Sequence, residues 1–189
     1  METTKNLAVA LQGQAGSYHQ QAAQEYFGAQ VRLCGCDTFD EVFRLLLEGR
    51  ADRAVVAVRN SIFGPIGEVQ ALLTRHAARV RVVGEVTVPV HHCLIGLPGA
   101  TLPGITTVHS QYMALGQCLR FLQTQLPQAQ LVGETDTAAS VALIKQRGDA
   151  HAAAVASAAA ARLHGLPVLR ENIEDDPNNT TTFAVLRTK

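Results

Sequence analysis

Short apolar runs of strand length alternate with helix-patterned windows along the whole chain, and this restricts the fold more than any other feature. Leu7 to Gln12 is the first such run. Ser17 then opens a helix, with Gln20 completing a capping box. The next strand ends at Cys34, and Thr38 with Glu41 repeats the box before the apolar stretch Phe43 to Leu47. Gly49 closes that helix as a C′ glycine. Ala54 to Val58 is continuously β-rich, as a strand covered on both faces must be. Val80 to Val90 and His92 to Gly96 read as extended and form a crossing between two lobes. Beyond them the pattern predicts strands at Ile105–His109, Gln130–Gly133, Ala152–Ala156 and Thr181–Leu186. Helices are predicted at Gln111–Gln125, Thr137–Gln146 and Ser157–His164. The expected class is α/β, with mostly parallel sheets flanked by helices.

In such sheets ligands bind beyond the carboxyl ends of the strands. Ser17, Ser110, Thr137 and Ser157 all fall at predicted strand-to-helix junctions. There a hydroxyl and free backbone N–H groups favour an anion, although any one of them also reads simply as an N-cap. Together they suggest a small carboxylate ligand.

Charge and cysteine usage narrow the classes further. The 16 basic and 16 acidic residues cancel, which argues against a nucleic-acid footprint. No apolar run approaches the roughly 20 residues that span a bilayer. Residues 1–6 form a polar lead without a signal-peptide h-region, so the expected compartment is the cytoplasm. Cys34, Cys36, Cys93 and Cys118 lack zinc-site spacing, even with His91 and His92 nearby, and read as buried free thiols; no metal is expected. His19, His91 and His92 read as structural histidines. No catalytic triad, phosphate loop or dinucleotide fingerprint is visible.

Several segments, in order, resemble the prephenate dehydratase family. Gly13 to Ala23 is similar to its opening glycine turn, and Asn60-Ser61-Ile62-Phe63-Gly64 to its Pro-Ile-Glu-Asn-Ser segment. His92-Cys93-Leu94 resembles its His-Cys-Leu signature, and Ser110 through Gln117-Cys118 its serine-histidine-proline segment. Thr137-Ala138-Ala139 looks like its Ser-Thr-Ala turn, and Asn178 to Phe183 like its Asn-Asn-Tyr-Thr-Arg-Phe ending.

The resemblance implies two lobes of the type 2 periplasmic-binding-protein kind with a cleft between them. Residues 1–88 plus 168–189 form the first, residues 89–167 the second, and no regulatory domain is expected. It also implies a reaction without cofactor, in which prephenate loses carbon dioxide and water to give phenylpyruvate in phenylalanine biosynthesis. Thr181 matches the threonine that assists departure of the 4-hydroxyl. Asn60, Ser61, Ser110, Gln117, Thr137 and Phe183 match the substrate lining. A homodimer or higher homo-oligomer is implied as well.

At three positions the chain departs from the family motif. Arg59 stands in place of a glutamate, Gln111 in place of a histidine, and Thr182 in place of an arginine. Threonine cannot give the bidentate carboxylate contact of a guanidinium, so Arg59 is expected to supply it from the opposite wall of the cleft. Two alternatives stay open: a weak or inactive relative that binds an aromatic or keto acid, and an enzyme that consumes prephenate to a different product.

Overall fold

The computed structural model describes residues 7–189; the polar lead at 1–6 lies outside the described residues. The chain divides into two compact units. Unit 1 comprises Met1–Gln14, Tyr18–Pro89 and Asn179–Lys189, and unit 2 comprises Ala15–Ser17 and Val90–Asn178.

Unit 1 contains β1 (Ala8–Gln12), α1 (Tyr18–Phe27), β2 (Arg32–Cys36), α2 (Phe39–Leu47), β3 (Arg53–Asn60), β4 (Gly64–Pro65), α3 (Gly67–Arg75) and β5 (Val80–Pro89). Unit 2 contains β6 (Cys93–Gly96), β7 (Thr107–Gln111), α4 (Tyr112–Gln117), α5 (Leu119–Gln125), β8 (Gln130–Glu134), α6 (Thr137–Arg147), β9 (Ala152–Ala156), α7 (Ala158–His164) and β10 (Val168–Arg170). The final strand, β11 (Thr180–Thr188), returns to unit 1.

In unit 1 the strand order is β2-β1-β3-β11-β5, with β4 on β3. Both faces are covered, which is why β1 and β3 are apolar without alternation. Val42, Phe43 and Leu46 of α2 and Val69 and Leu72 of α3 pack on Val56, Ala184 and Leu186. On the opposite face Ala22 and Ala23 of α1 pack on Val55, Ala57, Phe183 and Val185. Half of the capping box at α2 forms as expected, the Thr38 hydroxyl accepting from the Glu41 N–H at 3.2 Å, whereas the Glu41 carboxylate reaches back to the Asp37 N–H at 3.2 Å; Gly49 takes the left-handed φ of 70°.

In unit 2 the order is β10-β6-β9-β7-β8. Val141 and Ile144 of α6 and Ala160 and Ala161 of α7 cover Ile95, Ala154 and Ala156. Ala114, Leu115 and Leu122 cover Leu94, Val108 and Val155 on the other face. Small residues let α7 come close: a Cβ on Gly16, whose φ is +89°, would stand 2.8 Å from the Ala160 Cα. Ser157 caps α7 by accepting from Ala160 N–H at 3.1 Å, and donates to Gly16 O at 2.7 Å.

Several expectations are corrected. The sheets are mixed: β1 pairs parallel with β2 and β3, and β7 with β8 and β9, whereas β11 runs antiparallel to β3 and β5, and β6 to β9 and β10. Residues 168–178 belong to unit 2, because β10 pairs with β6 and Ile173 N–H donates to His92 O. The single helix expected over 111–125 is broken at Cys118, whose φ of −116° ends α4. Asp136, one residue before Thr137, is the α6 N-cap, accepting from Ala139 N–H at 2.7 Å. No helix among the described residues is long and apolar enough to cross a membrane.

Candidate active site

The carboxyl end of β3 meets the amino end of β11, and there the residues singled out in unit 1 come together. Asn60 is buried and directly opposite Thr181. Its Oδ1 accepts from the N–H groups of Ile62 at 3.0 Å and Phe63 at 3.1 Å, which fixes the amide and turns the chain out of the strand. Its Nδ2 is thereby aimed at three acceptors: Asn179 Oδ1 at 2.8 Å, Thr180 O at 3.0 Å and Thr181 Oγ1 at 3.0 Å. The Ser61 hydroxyl accepts from Thr180 N–H at 2.9 Å and ties the loop to β11.

Because Thr181 Oγ1 accepts from Asn60, its own hydrogen is left to donate elsewhere. Asn179 was not singled out individually from the sequence. It is fully buried, and its Nδ2 is a donor without a partner among the described residues. An unmet buried donor costs on the order of 1–3 kcal/mol, and such costs gather at functional sites.

Arg59 and Thr182 are placed differently. They are ladder partners, with Thr87 on the other side of Thr182. Side chains alternate across a strand, so Thr182 faces the α2 and α3 side while Thr181 faces the α1 side. Arg59 therefore adjoins Thr182 on the neighbouring strand, and the expected position on an opposite wall is corrected. The Thr182 and Thr87 hydroxyls are 3.0 Å apart. Arg59 is exposed, and among the described residues its guanidinium has no hydrogen bond or ion pair. Phe183 is 1% exposed, a core residue beneath His19.

His19 answers a bulge in the sheet. Thr182 pairs with Arg59 but Phe183 with Ala57, so Val58 is the extra residue. The Ala57 N–H at this irregularity donates to His19 Nε2 at 3.3 Å. The ring packs against Phe39 and Phe183, with centroids 5.7 and 4.9 Å away. Burial lowers its pKa to about 4, so the imidazole is a neutral acceptor.

Unit 2 carries its own polar network. Gln117 is buried, and its Oε1 lies 2.7 Å from His92 Nε2. Glu174, with a side chain 2% exposed, accepts from His92 N–H at 2.8 Å and lies 2.7 Å from His91 Nδ1. Ser110 lies inside β7 rather than at a helix start, and its hydroxyl donates to Val155 O at 2.6 Å, leaving only acceptor capacity. Gln111 is the exposed last residue of β7, and Thr137 the half-buried first residue of α6. Burial raises the Cys36 thiol to about 11 and also raises Cys93 and Cys118, so none of these is a thiolate nucleophile near neutrality. No group of three or more metal-binding side chains occurs among the described residues.

Two helix-flanked mixed sheets, with a threonine hydroxyl positioned at a strand end, define an α/β protein equipped for hydrogen-bond donation. Comparison with known proteins gives the family. The family model described as prephenate dehydratase matches residues 9–189. Arogenate dehydratase 5, chloroplastic, of Arabidopsis thaliana is 42% identical over 180 residues, covering 95% of this chain and 42% of its own length. The bifunctional chorismate mutase/prephenate dehydratase of Neisseria gonorrhoeae is 36% identical over 180 residues, covering 95% and 49%. The solved prephenate dehydratase of Arthrobacter aurescens, in complex with L-Phe, superimposes with a TM-score of 0.87 at 27% identity, covering 97% of this chain and 61% of that one. This chain belongs to the prephenate dehydratase family. It spans less than half the length of these two curated relatives.

Proposed function

We propose that this chain is a dehydratase that converts prephenate to phenylpyruvate. The observation that carries the reading is the Asn60–Thr181 pair: the bond at 3.0 Å makes the Thr181 oxygen an acceptor and leaves its hydrogen to donate. In the reaction the bond between the ring and its carboxylate breaks and releases carbon dioxide. Its electron pair completes the aromatic ring and expels the 4-hydroxyl, which leaves as water after taking a proton. Aromatisation supplies the driving force, so no cofactor is needed. A threonine hydroxyl is too weak an acid to protonate the leaving oxygen outright. As a donor held in place, Thr181 stabilises negative charge growing there, an effect worth roughly 10²–10⁴-fold.

The other proposed substrate contacts follow the family motif: Asn60 and Ser61 in unit 1, and Ser110, Gln111, Gln117 and Thr137 in unit 2. The positions of Phe183 in the core and of Thr182 and Arg59 on the far side of the strand from Thr181 favour supporting roles for these three. Four free cysteines among the described residues fit a reducing cytoplasm, and we take the protein to work there as a homo-oligomer.

A second reading is favoured by one observation. The 42% identical relative is named for arogenate, in which an amino acid side chain replaces the 2-oxo acid of prephenate. Offering the purified chain each compound separately tests both. Phenylpyruvate from prephenate supports the first reading and phenylalanine from arogenate the second, while no product above the spontaneous rate from either removes both.

A further inference from the structure

Gln117 has an amide whose two ends differ in what they can do, so its orientation decides its chemistry. Its Oε1 is taken up by His92 at 2.7 Å, while its Nε2 makes no hydrogen bond among the described residues. A carboxamide oxygen only accepts, so His92 Nε2 must carry the proton of this bond. Rotating the amide by half a turn would set its N–H₂ against that N–H, donor against donor. With His92 in this Nε2–H tautomer, the bond leaves one orientation, in which Gln117 presents two N–H donors.

His92 is itself held. It is 2% exposed at the entry to β6, and its backbone N–H donates to Glu174 Oε2 at 2.8 Å. The other Glu174 oxygen lies 2.7 Å from His91 Nδ1. Two backbone bonds close the arrangement, from Ile173 N–H to His92 O at 3.0 Å and from Asp175 N–H to Gln117 O at 2.7 Å. Residues 173–175 thus pin both partners at once. Burial lowers the pKa of His92 and keeps the ring neutral near pH 7, against opposing contributions from Gln117 and Glu174.

We infer that His92 is a positioning residue that fixes the Gln117 amide so that its N–H donors face a substrate oxygen, with Glu174 anchoring His92 in turn. Such a device selects an acceptor, a carboxylate or carbonyl oxygen, and disfavours a donor at the same place. The inference rests on the proposed dehydratase reading, in which Gln117 touches substrate.

The test compares His92→Phe, His92→Gln, Gln117→Leu and the double variant His92→Phe/Gln117→Leu in the full chain. The readouts are KM and kcat with prephenate, affinity for phenylpyruvate, and Tm. His92→Phe should raise KM roughly ten-fold and weaken phenylpyruvate binding to match, with kcat within about two-fold. His92→Gln carries a donor of similar reach to Gln117 and should recover most of that loss. The double variant should bind no worse than Gln117→Leu alone, because the histidine acts only through the amide. Should the Phe variant fail to fold, His92→Asn, whose shorter amide does not reach Gln117, takes its place with the same expected rise in KM. Turnover by the parent, with His92→Phe lowering Tm but leaving KM unchanged, overturns the inference alone. An additive double variant does the same. A parent that neither turns over prephenate nor binds phenylpyruvate defeats the dehydratase reading and this inference with it.

Discussion

Lowering the pH protonates His19 in the unfolded chain well before it does so in the folded one. The folded ring accepts the Ala57 N–H with Nε2 and sits against Phe39 and Phe183, and its burial lowers the pKa from the ordinary histidine value of 6.5 to about 4. A depressed pKa contributes stability that is fully present above the unfolded value and is lost as the pH falls toward the folded one. The window is therefore pH 6.5 to 4. Linkage gives a loss of about 2 kcal/mol at pH 5 relative to pH 7, and because His19 is only half-buried, solvent screening reduces this to about 1–2 kcal/mol. The assay is urea unfolding of the parent and of His19→Gln at both pH values. Glutamine offers an oxygen to Ala57 N–H but does not titrate here, so the variant should lose about 1–2 kcal/mol less between pH 7 and 5. His92, also depressed by burial, leaves a residual loss in both proteins. Equal losses in parent and variant would refute the claim that His19 is a buried neutral acceptor.

Two further predictions follow from ladder geometry and packing. Thr182→Arg sets two guanidinium groups directly opposite each other, costing about 0.2–1 kcal/mol, while Arg59→Glu/Thr182→Arg makes an opposite-charge pair; a thermal-melt double-mutant cycle should show a favourable coupling of about 1 kcal/mol. Gly16→Val drives a side chain against the Ala160 backbone at a positive φ, and should cost more than about 2 kcal/mol in chemical denaturation, whereas Ser157→Ala should cost about 1–2.

What the sequence made legible was local. The Thr38 cap, Gly49 and the β-rich run before Asn60 declare themselves within a few residues, and all three appear in the fold. Helix α3 was missed because only Val69 and Leu72 along it are buried, too sparse a stripe to show a period. The run into β11 gave no sign of which way that strand pairs, since direction depends on partners far along the chain. The site divides in the same way. Asn60 and Thr181 were found through motif order, but the amide geometry joining them spans 121 positions. The separation of Thr181 from Thr182 was available from the pleat alone, since adjacent strand residues face opposite sides. The His92–Gln117 bond had no local signal: a histidine at a strand entry meets a glutamine 25 positions away through the fold of unit 2.

The central claim is that a threonine hydroxyl, held by Asn60, assists loss of the 4-hydroxyl from prephenate by donating to the leaving oxygen. The most direct measurement is phenylpyruvate formation by the parent, Thr181→Ser and Thr181→Val. The account predicts activity in the parent, retention of much of it in the serine variant, and a fall of roughly 10²–10⁴-fold in kcat for valine, which keeps the shape but lacks the hydroxyl. A valine variant as fast as the parent, or a parent no faster than spontaneous breakdown, would contradict it.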